Sequence, residues 1–85
     1  MKVQLEQLNI EIDIDEITGR RRGYRGGRGF YWQDSRMPPI GAFRTPGDAL
    51  RDIAAKLDSG ELAAMIEAAR ENFRARRAVR EAAEG

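Results

Sequence analysis

The residues with the most distinctive chemistry lie together in one short arginine-rich segment. Residues 20–29 contain five arginines, four glycines and one tyrosine. A guanidinium group is a planar fork of donors that binds carboxylate or phosphate oxygens in pairs, and glycine lets the main chain approach a partner closely. The segment predicts a loop, or the tip of a long hairpin, that binds an anionic partner. Its candidate binding residues are Arg20, Arg21, Arg22, Tyr24, Arg25 and Arg28.

Three interpretations of this segment, the basic loop, are open. It resembles the RGG-type segments that bind nucleic acid, and the aromatic run Phe30-Tyr31-Trp32 directly after it can stack on the bases of RNA or DNA. The same arginines can instead bind a protein partner. They can also pair within the chain with the acidic segment before the loop, because an antiparallel return places opposite charges face to face.

That acidic segment is a second charged pattern. Glu11, Asp13 and Asp15 alternate with isoleucines and therefore project from one face of a strand at a repeat of about 6.7 Å. This acidic row is either an ordinary solvent-facing surface or a partner-binding surface that occupies the place of phosphate in a basic groove. We expect no metal site from Asp13, Asp15 and Glu16, because successive strand residues point in opposite directions and cannot all converge on one ion.

The composition argues against catalysis. The 85 residues include no cysteine and no histidine, which removes thiolate nucleophiles, disulfides, most zinc ligands and the usual general base. The glycines of the basic loop are followed by aromatic residues, rather than by the Lys-Ser/Thr helix start of a nucleotide-binding loop. We therefore expect a protein that is not an enzyme and that has no catalytic residues and no cofactor.

The net charge of +1 conceals an uneven distribution. Residues 1–19 hold one lysine and five carboxylates, a charge of −4, whereas residues 20–44 hold seven arginines and one aspartate, a charge of +6. Binding must therefore depend on local patches rather than on net charge. No apolar run approaches the length of a membrane span, and the N-terminus lacks the pattern of a signal peptide. We expect a cytoplasmic protein that does not bind a membrane.

The charged segments must be positioned by one small α+β domain. Leu8, Ile10, Ile12 and Ile14 alternate with polar residues and predict a strand. Val3 and Leu5 have the opposite parity, so either this strand starts near Gln7 or a bulge resets its phase. Residues 30–33 predict a second antiparallel strand, and residues 40–43 a short third one.

Two helices should follow the strands. Thr45, Pro46 and Asp48 predict the N-cap, first position and first turn of one helix, and residues 61–82 predict another. We expect a two- or three-stranded antiparallel sheet packed on two C-terminal helices, in the order β-β-(β)-α-α. The single domain of residues 1–85 then divides into a β-hairpin region with the basic loop (1–44) and two helices (45–85). The predicted core consists of Ile10, Ile12, Ile14, Phe30, Trp32, Leu50, Ile53, Leu57, Leu62, Ile66 and Phe73.

The last helix carries a seam of small residues on the face opposite its core stripe. Ala64, Ala68, Ala75 and Ala78 follow heptad-like spacing, which lets another helix approach closely. Alanine is also the best helix former, so these positions either mediate self-association into a homodimer or merely maintain the helix.

One architectural resemblance narrows the function. Over Gly29-Phe30-Tyr31-Trp32 and Ile40-Gly41-Ala42-Phe43-Arg44-Thr45-Pro46-Gly47-Asp48-Ala49-Leu50, a hairpin leads into a capped amphipathic helix. This unit, within residues 29–57, resembles those of small phage- and prophage-encoded accessory proteins, including anti-CRISPR proteins. The resemblance implies a non-enzymatic inhibitor or adaptor that binds a host protein or nucleoprotein complex.

Overall fold

The chain forms an α+β fold in which one antiparallel sheet precedes two helices. The computed structural model describes the backbone of residues 1–84 and the side chains of residues 1–79. The strands are β1 (Lys2–Leu5), β2 (Ile10–Ile17), β3 (Gly29–Gln33) and β4 (Ile40–Phe43), and the helices are α1 (Pro46–Ser59) and α2 (Glu61–Glu84). The strands lie in the order β1-β2-β3-β4, with every neighbouring pair antiparallel. The predicted α+β fold is confirmed, with four strands rather than two or three.

The additional strand, β1, explains the change of parity near the N-terminus. A turn over residues 6–9 reverses the chain, with Asn9 at a φ of 52°, and brings Val3 opposite Ile12 and Leu5 opposite Ile10. Of the two alternatives, a bulge is therefore not the explanation: β2 starts at Ile10, and Val3 and Leu5 belong to a separate strand that faces the same core.

The main core lies between one face of the sheet and the two helices. It contains Ile10, Ile12, Ile14, Trp32, Ala49, Ile53, Leu62 and Ile66, and the half-buried Phe30 and Leu57 pack against it. Two predicted core residues are wrong, because Leu50 is 38% exposed and Phe73 is 57% exposed. In α1 the residues that face the core are Ala49 and Ile53, of which Ile53 is a predicted core residue, whereas Leu50 faces solvent. Ala69 is the last buried residue among the described side chains of α2, and Phe73, one turn further on, lines a surface groove with Arg36 and Met37.

Side-chain hydrogen bonds fix α1 on the sheet. The predicted N-cap is confirmed, since Thr45 Oγ1 accepts a hydrogen bond of 3.0 Å from the Asp48 backbone N–H. In the core, Trp32 Nε1 donates to Asp52 Oδ2 at 2.9 Å, and Lys56 Nζ donates to Asp52 Oδ1 at 2.6 Å. One carboxylate therefore satisfies the buried indole and also pairs with a cation on its own helix.

Candidate partner-binding surface

The basic loop packs back against the sheet, on the face opposite the helices. The Tyr24 ring meets the Tyr31 ring edge-on, with centroids 4.9 Å apart and planes at 83°. Gln33 Nε2 donates to the Tyr24 hydroxyl at 3.2 Å, and the Tyr31 hydroxyl donates to the Gly27 carbonyl oxygen at 2.7 Å. Tyr31 and Ile17 are each 2% exposed. The loop thus forms a second, smaller packed layer with β2 and β3.

A glycine makes this close packing feasible. A Cβ atom on Gly26 would lie 2.6 Å from the backbone nitrogen of Ala42 and 2.9 Å from the Tyr31 hydroxyl oxygen. No other residue fits there without displacing β4 or the tyrosine. Hydrogen bonds from the Tyr24 N–H to the Arg21 carbonyl oxygen and from the Gly27 N–H to the Tyr24 carbonyl oxygen form two successive turns. The loop is therefore held in shape by its contacts, although its composition is typical of a flexible segment.

The aromatic residues after the loop lie inside the protein. Trp32 is fully buried in the main core and Tyr31 in the second layer, while Phe30 is half-buried against the core. Stacking of these three rings on bases, one of the open interpretations, is therefore not supported, whereas the predicted packing of Phe30 and Trp32 in the core is confirmed. Tyr24 is half-buried, and the Arg21 guanidinium carbon lies 5.5 Å from its ring centroid.

The arginines of the basic loop do not pair with the acidic row. Among the described residues, no carboxylate oxygen lies within 4.0 Å of a guanidinium nitrogen of the loop. Arg28 Nε donates to the Thr18 carbonyl oxygen at 3.1 Å, so Arg28 is held at the base of the loop. The other arginines of the basic loop surround an open surface cavity of about 580 Å³. It is lined by Arg20, Arg21, Arg22, Tyr24, Arg25, Gly26 and Gly27. The interpretation of a self-neutralised loop is thus not supported by the geometry.

The acidic row lies on the same sheet face as the loop. Asp13 is opposite Gln33 and Asp15 is opposite Tyr31 in the register of β2 and β3, and residues that face each other across strands share a face. Glu11, at the far end of the row, accepts a hydrogen bond of 2.6 Å from Gln4 Nε2 and lies 3.3 Å from Lys2 Nζ. The hydrogen bond between the Lys2 ammonium and the Glu11 carboxylate is the main reason that the pKa of Lys2 is raised.

The end of the row next to the loop is not neutralised. Within the described part of the chain, Asp13 and Asp15 have no cation within 4.0 Å; Asp13 is half-buried and Asp15 is exposed. One face of the sheet therefore presents carboxylates and guanidinium groups that form no ion pairs with each other, although Asp13 lies opposite Lys2 and its charge contributes to the raised pKa of Lys2. We name this combination of the acidic row (Glu11, Asp13, Asp15) and the basic loop (residues 20–28) the bipolar face.

Sequence reasoning missed one ion pair with a buried carboxylate, which lies at the end of β3. Asp34 follows β3 and is 3% exposed, and it accepts hydrogen bonds of 2.9 Å each from Arg36 Nε and Nη2 and 3.0 Å from the Arg36 backbone N–H. The Asp34 backbone carbonyl accepts from the Met37 N–H at 3.1 Å. The spacing of an aspartate two residues before an arginine, within a turn before two prolines, was the available signal.

The alanine seam is exposed along α2. All four residues, Ala64, Ala68, Ala75 and Ala78, are accessible to solvent, as is every described side chain from residue 71 to residue 79. The homodimer stays a prediction.

That prediction has a direct test by light scattering. Replacing two seam alanines with glutamate, as in Ala68→Glu plus Ala75→Glu, retains helix propensity but places charge in the seam. We expect a two-chain mass for the wild type and a one-chain mass for the variant. The matched control, Ala54→Glu plus Ala55→Glu, changes two exposed alanines of α1 and should leave the mass unchanged. A one-chain mass for the wild type across the micromolar range would contradict the dimer.

The kind of site that the chain carries can be narrowed by its potential metal ligands, its helices and its similarity to known proteins. Among the described residues, no group of three or more acidic, cysteine or histidine side chains is placed to hold a metal ion. None of the helices in that part of the chain is long and apolar enough to cross a membrane. The chain matches no protein-family model, no curated protein and no solved structure.

Proposed function

We propose that this chain is a non-enzymatic binding protein that recognises a protein partner through the bipolar face. In its more specific form, the proposal is a phage-type inhibitor or adaptor that binds a host protein or nucleoprotein complex, as anti-CRISPR proteins do. One observation carries the proposal: carboxylates and guanidinium groups that do not pair with each other lie on the same face of a scaffold that is already packed. Complementary charge on a partner accelerates encounter and fixes orientation.

The arrangement favours a protein over a nucleic acid. Asp15 lies directly opposite Tyr31, about 4.8 Å away across the strands, and the loop packs on that tyrosine. A phosphate backbone drawn to the arginines would therefore be repelled by the acidic row. The bases would also find few aromatic surfaces, because Tyr31 and Trp32 are buried.

A small RNA- or DNA-binding module is the second candidate, and the arginine-lined cavity favours it. Phosphate binding by several arginines is strongly dependent on salt, with a slope of log K against log salt of about −0.9 for each phosphate neutralised on duplex DNA. This candidate requires binding of mixed RNA or DNA in a gel shift at about 50 mM salt that falls by more than a hundredfold at about 200 mM.

The test of the leading proposal is capture from a nuclease-treated bacterial lysate, with two charge-reversed variants as bait. Arg22→Glu plus Arg25→Glu reverses the loop, and Asp13→Lys plus Asp15→Lys reverses the acidic row. We expect the wild type to retain a defined protein and each variant to lose at least nine-tenths of it, because each faces its partner with like charge.

The matched control for this capture is Glu67→Lys plus Arg74→Glu, which changes two exposed charges on α2. It should retain the same protein in the same amount. Retention by both charge-reversed variants would rule out the bipolar face, and capture that disappears on nuclease treatment would favour the nucleic-acid module.

A further inference from the structure

The arginine-lined cavity of the basic loop contains more positive charge than a protein carboxylate would neutralise. Arg20, Arg21, Arg22 and Arg25 all line it, and no described carboxylate lies within 4.0 Å of their guanidinium nitrogens. A carboxylate of a partner offers one charge and two oxygens. A phosphoryl group offers nearly two charges and three strong acceptor oxygens, which match several guanidinium forks at once.

The cavity is also shaped before any ligand arrives. The contacts of Tyr24 with Tyr31 and of the Tyr31 hydroxyl with Gly27 fix the middle of the loop, and the bond from Arg28 to Thr18 fixes its base. Arg21 lies over the Tyr24 ring. A ligand therefore meets a preformed main chain and has only side chains to order, which lowers the entropic cost of binding.

From these observations we infer that the cavity is a site for a phosphoryl group carried by a protein partner. This inference rests on the proposed function and specifies its partner. The cavity is open to solvent and its four arginines are exposed, so a phosphorylated side chain and its neighbouring backbone can reach the guanidinium groups from the surface. A protein source is favoured over nucleic acid, because Glu16 lines the adjoining depression with Arg20 and Arg21, and a carboxylate at that place repels an extended phosphate chain.

The first experiment uses inorganic pyrophosphate as the probe, with ionic strength held constant by sodium chloride. Calorimetric titration should give a dissociation constant on the order of 0.1–1 mM, as a few charge-assisted hydrogen bonds allow. At ten times that concentration the melting temperature should rise by about 5–10 °C. No heat of binding together with no shift in melting temperature would overturn the inference. The bipolar face would then remain open as a site for carboxylates, since the capture test does not depend on phosphate.

Two matched variants locate the site. Arg22→Gln plus Arg25→Gln removes two cavity arginines for which the described structure gives no partner, and affinity for pyrophosphate should fall at least tenfold. Arg44→Gln plus Arg74→Gln removes the same charge from exposed positions outside the cavity and should bind as the wild type does. Equal loss in both double variants would mean that net charge, rather than the cavity, binds the anion, and would overturn the inference.

A final pair of probes separates the sources of the phosphoryl group. The tripeptide acetyl-Ala-phosphoserine-Ala amide should bind, whereas the same peptide without phosphate should not. A short single-stranded oligothymidylate should bind more weakly than the phosphopeptide at about 150 mM salt. Tighter binding of the oligothymidylate would overturn the assignment to a protein and identify the cavity as a nucleic-acid contact.

Discussion

Ile12→Asp is expected to leave the chain unfolded at room temperature. Ile12 has no exposed surface, lies opposite Val3 in the sheet and belongs to the main core. The substitution removes about 2–5 kcal/mol of packing and burial and places an unpaired carboxylate in an apolar site, which costs several kcal/mol more. The net stability of a domain of this size is about 4–13 kcal/mol, so little or none would remain. Far-UV circular dichroism and urea unfolding measure the effect.

The matched control for this substitution is Val79→Asp. Val79 is also a branched aliphatic residue, but it is 70% exposed on α2. Its replacement should shift the free energy of unfolding by less than about 0.5 kcal/mol. If the Ile12→Asp protein melted within a degree of wild type, the position of β2 in the core would be wrong.

The elements that the sequence predicts best are those with a local physical signal. The alternation of isoleucines locates β2 because one face of a strand must be buried, and Ile10, Ile12 and Ile14 are all in the core. Thr45 and Pro46 locate the start of α1. The N-cap side chain accepts a hydrogen bond from a backbone N–H of the first turn that has no partner within the helix, and proline has no N–H that would need one.

The features that the sequence does not reveal depend on contacts between distant segments. The four residues of β1 are too few to show a period, and their pairing with β2 is what makes them a strand. Leu50 lies on the apolar stripe of α1, yet the way α1 turns on the sheet leaves it exposed. Phe73 continues the apolar stripe of α2, yet it lies one turn past Ala69, the last buried residue among the described side chains, and the stripe alone does not show where the core ends.

The sequence predicts which residues form the bipolar face, but it does not predict whether their opposite charges pair with each other. Composition identifies the arginines of the basic loop and the carboxylates of the acidic row, and strand alternation places the carboxylates on one face. Whether the two sets neutralise each other depends on how the loop returns to the sheet. That return is set by Tyr24, Tyr31 and the close approach at Gly26, and a periodic pattern encodes none of these contacts.

Arg36→Met is expected to destabilise the protein by about 1–3 kcal/mol at neutral pH, because it removes the half-buried charged donor of the buried Asp34 carboxylate. The Asp34 carboxylate is 3% exposed and accepts both side-chain bonds from Arg36. The hydrogen bond from Arg36 is the main reason that the pKa of Asp34 lies below its ordinary value. In the variant the carboxylate keeps the backbone N–H of residue 36 but loses the guanidinium.

The pH dependence of this effect has a definite sign. In the wild type the folded pKa of Asp34 is lower than the unfolded value of about 3.9. The pair therefore stabilises the fold above about pH 4, and this contribution is lost as the pH falls through the folded pKa. In Arg36→Met the main cause of the lowered pKa is lost, while burial still disfavours the charged carboxylate and only the backbone N–H of residue 36 and the charge of Arg70 still favour it. The folded pKa of Asp34 therefore rises, and the stabilisation above about pH 4 is lost. The difference in unfolding free energy between the two proteins should thus be largest at about pH 7 and much smaller near pH 3.

Urea unfolding of both proteins across this pH range measures the difference, and Arg36→Met plus Asp34→Asn is the control. The asparagine retains an oxygen for the backbone N–H of residue 36 but carries no charge. At neutral pH the double variant should therefore recover at least half of the unfolding free energy that Arg36→Met loses. Its unfolding free energy should change little between pH 7 and pH 3 as far as residue 34 is concerned, because asparagine does not titrate. A loss in Arg36→Met that stays the same from pH 7 to pH 3 would mean that the Arg36 side chain contributes packing rather than charge. Its stem would then stabilise the turn after β3, and the buried carboxylate of Asp34 would not depend on the guanidinium.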